Sequence, residues 1–106
     1  MSRYEILEGD NIEFLATSIG DYTIYFGINN DDTATSKYAD NPRTATKFEI
    51  RMDKNGSLVG ENNITFTNPS TILANTSHTE TRATPTISYI KIRTGSTNTQ
   101  IKVRWF

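Results

Sequence analysis

Few side chains in this chain are of types suited to chemistry. His78 is the single histidine, set in Asn75-Thr-Ser-His-Thr-Glu80 beside hydroxyls and a carboxylate. A Ser–His–carboxylate site needs an imidazole held by packing. Here the neighbours are small and polar, and the residue reads as an exposed loop histidine. There is no Gly-x-Ser-x-Gly elbow, no phosphate-cradling glycine loop and no cysteine to build a zinc cluster. The expectation is a protein that is not an enzyme, with no catalytic, metal or cofactor-binding residue and no cofactor.

Hard oxygen donors gather in one place. Asn29, Asn30, Asp31, Asp32 and Asp40 lie in the longest polar stretch, 29–44, and calcium prefers such ligands. Asp53-Lys-Asn-Gly56 resembles the opening of a calcium loop but lacks the later glutamate. Asp and Asn favour turns on their own account, so ordinary Asx turns explain both segments. Sequons at Asn55, Asn63 and Asn75 arise readily in a chain this rich in Ser and Thr. Exposed aromatics with Asn and Asp are the means by which small β domains hold sugars. Tyr25, Tyr38 and Tyr89 are the candidates, although no three aromatics share a matched spacing on one strand.

The basic residues are the most organised feature. Segments 87–93 and 100–106 alternate apolar with basic, which is the period-two signature of strands. With the polar stretch Thr94 to Thr99 between them they read as a terminal β-hairpin. One face carries Ile90, Ile92, Ile101, Val103 and Trp105; the other carries Lys91, Arg93, Lys102 and Arg104. Like charges on facing strands repel, so this face requires acid, from Glu5 and Glu13 in the same chain or from a neighbouring subunit. Interface candidates are therefore Lys91, Arg93, Lys102, Arg104 and the final Phe106, with Tyr38, Asp31 and Asp32 of the long loop.

The elements that hold these residues follow from composition. Ile, Val and Thr total 31 of the 106 residues against 12 for Ala, Leu and Met. Branching at Cβ suits pleated, half-buried strands. Apolar residues alternate in 22–28 and 46–52, turn signals recur roughly every 8–12 residues, and Asn55-Gly56 reads as a type I′ hairpin turn. Residues 71–74 read as a short strand or one helical turn, and 75–84 as polar loop. The expected fold is all-β: residues 1–106 as a single antiparallel β-sandwich or jelly-roll-like domain of seven to nine short strands.

Charge narrows the partners. The net charge is −1, which disfavours a nucleic-acid binder reliant on bulk electrostatics. Residues 1–53 hold five basic and ten acidic residues, net −5; residues 54–106 hold six and two, net +4. This asymmetry fits either pairing of the first and last strands or head-to-tail stacking of subunits. No apolar run reaches the roughly 18 residues of a membrane span, and no signal-peptide core is visible, so synthesis in the cytosol is expected.

A short, cysteine-free, Thr/Asn/Ser-rich β chain ending inside a strand resembles small structural proteins of tailed bacteriophage virions, such as capsid decoration proteins and tail or head-fibre modules. The resemblance implies a repeated structural subunit, located in the virion and assembled in the host cytoplasm, whose partners are other protein subunits in a homo-oligomer or a capsid or tail lattice. The alternative is a carbohydrate-binding β-sandwich using Tyr38 and the Asn/Asp cluster.

Overall fold

The computed structural model describes residues 11–26, 35–39, 47–82 and 89–105. Among them run nine strands: β1 (Asn11–Ala16), β2 (Gly20–Phe26), β3 (Ser36–Ala39), β4 (Lys47–Met52), β5 (Gly56–Glu61), β6 (Ile64–Ile72), β7 (Ser77–Thr81), β8 (Tyr89–Thr94) and β9 (Thr99–Trp105). They form two sheets, one ordered β1-β9-β4-β7 and the other β3-β2-β8-β5-β6. The molecule is an all-β sandwich. Every pairing is antiparallel except β2 with β3, which run parallel.

Alternation puts one side of each strand into a shared interior. Ile12, Phe48, Ile50, Met52, Ile101 and Val103 from the four-stranded sheet meet Tyr22, Ile24, Leu58, Ile72, Ile90 and Ile92 from the five-stranded one. Full burial of each such side chain contributes about 1.5–3 kcal/mol. Polar groups that enter the interior are hydrogen-bonded. The Tyr22 hydroxyl donates to Ser18 O at 2.8 Å, and Thr99 Oγ1 donates to Ser96 O at 2.9 Å.

Three expectations are corrected. First, β8 and β9 are not a hairpin: they belong to different sheets, and 95–98 crosses the sandwich between them. Their apolar sides face each other across the core, which an alternating sequence satisfies as well as side-by-side pairing does. Second, Asn55-Gly56 is no hairpin turn. It carries the chain from β4 to β5 across the sandwich, and neither residue has a positive φ. The Asn55 side chain instead accepts the Ala74 amide at 2.8 Å, and its carbonyl accepts the Gly95 amide at 3.3 Å. The tight reversal lies at Asn62-Asn63, with Asn62 at φ 51°, joining Glu61 to its partner Ile64. Third, the polar stretch 75–84 contains β7, and the 29–44 stretch contains β3. Both are edge strands poor in apolar residues, which is why their sequences read as loop.

Candidate functional site

The outer face of the five-stranded sheet carries the most distinctive surface. Strand β2 turns Tyr22 and Ile24 into the core, so Asp21, Thr23 and Tyr25 point outward; β8 likewise buries Ile90 and Ile92 and presents Tyr89, Lys91 and Arg93. The register then sets three rows. Tyr25 has Tyr89 as its partner on one side and Tyr38 on the other. Thr23 pairs with Lys91, and Asp21 with Arg93.

The Tyr25 and Tyr89 rings lie with centroids 5.2 Å apart and planes at 48°, a tilted aromatic pair. Tyr89 is fixed from below by the β5–β6 turn. Its hydroxyl donates to Asn63 Oδ1 at 3.1 Å, and its carbonyl accepts the Asn62 amide at 2.9 Å. At the far end of the face, the Arg93 guanidinium grips Asp21 through Nε at 2.7 Å and a second nitrogen at 3.2 Å. That hydrogen bond holds the Asp21 carboxyl below its ordinary range. Lys91 stands between these two groups, exposed, and makes no ion pair with any of the described residues.

The single basic face expected from residues 87–106 does not exist. Lys91 and Arg93 are on the outside of one sheet, and Lys102 and Arg104 are on the outside of the other. The latter two meet acid within the chain. Lys102 Nζ lies 3.7 Å from Glu13, its register partner, and Arg104 Nε donates to Glu49 at 2.7 Å. Glu49 is held below its ordinary range, first by a hydrogen bond from Ser77 and then by Arg104. The proposed donor Glu13 is thus in place, and Glu49 is the partner that sequence reasoning missed. Asp31, Asp32, Phe106 and Glu5 lie outside the described residues.

His78 is not a loop residue. It sits on β7 opposite Ile50, turned toward the interior, and its Nε2 lies 2.7 Å from Glu80 Oε2. Glu80 also meets Arg82 at 3.2 Å, and Arg82 reaches Glu61 of β5 at 2.7 Å. The hydrogen bonds it donates to Glu61 raise the guanidinium's pKa above its ordinary value, and its carbon stands 5.9 Å from the Phe48 ring centroid. This chain of polar contacts bridges the two sheets beside an open surface depression of ≈ 500 Å³ lined by Ile64, Phe66, Ser70, Glu80 and Arg82. Charges turned inward on an edge strand also block pairing with a foreign strand. The alternation Ser77-His-Thr-Glu-Thr81 was the available signal, hidden because neither face is apolar.

In the Asp53–Gly56 segment the polar groups are used structurally. Asp53 Oδ1 accepts the Gln100 amide at 2.8 Å, and Lys54 Nζ donates to Thr97 O at 2.8 Å. No group of three or more potential metal ligands occurs among the described residues. No family model, curated protein or solved structure matches the chain.

Proposed function

We propose that this protein works by surface contact, as a non-enzymatic subunit of a repeated assembly of the kind found in virions. One observation carries the reading. Leu15 on edge strand β1 is 50% exposed, and Ile64 on edge strand β6 is 61% exposed, at opposite lateral edges of the sandwich. The core is complete without either. Apolar groups on opposite edges suit a heterologous contact, which repeats from subunit to subunit instead of closing on itself. Pro69 within β6 and the inward charges of β7 blunt the β6–β7 side against strand addition, leaving side-chain contact as the mode there.

Sedimentation and light scattering over a concentration series test this. Self-association is expected, weakened by Leu15→Lys or Ile64→Lys with the fold retained. A monomer at every concentration overturns it. Capsid or tail genes beside the coding sequence would support the virion setting.

The second reading, a carbohydrate-binding module, is favoured by the tyrosine row. The pair Tyr25–Tyr89, with Tyr38 in register beside it, supplies the matched spacing across strands that no single strand has.

A further inference from the structure

We infer that the outer face of the five-stranded sheet binds an anionic glycan, with Tyr25 and Tyr89 taking a sugar ring and Lys91 its carboxylate. The inference rests on the carbohydrate reading and names the ligand class.

The tilted pair presents two aromatic rings at a centroid separation of 5.2 Å. The C–H face of a pyranose packs on such rings, while its hydroxyls reach outward to water and neighbouring polar groups. The Asn63 bond to the Tyr89 hydroxyl fixes that ring before any ligand arrives, which lowers the ordering cost of binding. Tyrosine also provides large contact area with only two side-chain torsions to restrict.

Charge selects among sugars. Lys91 is two residues from Tyr89 on the same strand and face, about 7 Å along it. Its register partners, Thr23 and Gly60, bring no charge. Asp21 feels Lys91 electrostatically, but its carboxylate is already taken by Arg93. Among the described residues the ammonium has no ion-pair partner, and it stands beside an aromatic pair, an arrangement complementary to a uronate-type sugar. A nucleic acid presents the same two features, a flat ring and an anion. It also brings a run of phosphates, which requires several cations on one face. Here Arg93 is committed, Lys102 and Arg104 lie on the opposite side, and the chain is net −1.

The test titrates the intact chain with oligomers of galacturonate, glucuronate and mannuronate, with their methyl esters, and with single-stranded oligonucleotides, by calorimetry. Expected is binding to at least one uronate series that weakens with salt and falls about tenfold or more in Tyr25→Ala or Tyr89→Ala. Tyr89→Phe, which keeps the ring, should retain most of it. Lys91→Gln should reduce affinity for the acid to that for its ester. Equal affinity for acid and ester, with Lys91→Gln silent, overturns the anionic assignment and leaves the carbohydrate reading standing. No binding to any sugar, acidic or neutral, overturns both. Tighter binding of an oligonucleotide than of every uronate overturns the inference in favour of nucleic acid. Circular dichroism of each variant separates lost binding from lost fold.

Discussion

Arg104 on β9 donates from Nε to Glu49 on β4 at 2.7 Å, and the two are register partners on the outside of the four-stranded sheet. This residue pair makes Arg104, an interface candidate by sequence, part of the sheet's own surface. Reversing it therefore changes stability. Arg104→Glu sets two carboxylates face to face and is expected to cost about 1 kcal/mol, since cross-strand pairs this exposed contribute modestly. The double variant Glu49→Arg/Arg104→Glu should recover most of the loss in urea denaturation. Failure to recover would show that the pair is not coupled.

Acid should weaken the fold through two identified groups. Asp21 is held low mainly by the Arg93 hydrogen bond, and Glu49 by Ser77 and then Arg104. A carboxyl with a folded pKa below its unfolded one stabilises fully above about pH 4.5. That contribution is lost as pH falls through the depressed folded value. Urea midpoints are expected to drop below about pH 4, and to drop less in Asp21→Asn/Glu49→Gln. Parallel curves for the two proteins would place the acid sensitivity elsewhere.

Arg82 ties the two sheets together at the β6–β7 side. Its guanidinium meets Glu61 and Glu80 and lies near the Phe48 ring. Arg82→Met keeps the stem but leaves both half-buried carboxylates without it, an expected loss of about 1–2 kcal/mol. Thermal unfolding reads the effect, and high salt should not reproduce it in the parent protein.

Gly60 sits at the irregularity in β5, where the register against β6 and β8 shifts. A Cβ there would come within 2.6 Å of Ile64 O, a backbone atom with little room to move. Gly60→Ala is expected to destabilise by about 1–3 kcal/mol. Gly20 is the contrast: its φ of 145° resists a side chain, but nothing lies within 4 Å. Hydrogen exchange at Val59 and Thr65 should show whether the Gly60 loss is local.

Much of the inside and outside of this protein is legible in the sequence. Alternation alone puts Ile90, Ile92, Ile101 and Val103 on the apolar side of their strands, and all are buried. The apolar positions that alternate through 46–52, Phe48, Ile50 and Met52, are buried too. Strand β7 was missed because its two faces, His78 and Glu80 against Ser77, Thr79 and Thr81, are both polar. Its strand character comes from hydrogen bonding to β4, a tertiary fact.

The sequence by itself determined an all-β chain and the apolar side of β2, β4, β8 and β9, because β-branched residues in period two bury only as strands. It could not determine which strands lie side by side. An apolar face is equally satisfied by a neighbour in its own sheet or by the opposite sheet, so β8 and β9 look like a hairpin and are not one. Only the tertiary structure decided that Lys91 and Lys102 lie on opposite sides of the sandwich, and that Tyr25, Tyr38 and Tyr89 come into one row. Register between distant strands is set by the packing of the whole core, which no local pattern encodes.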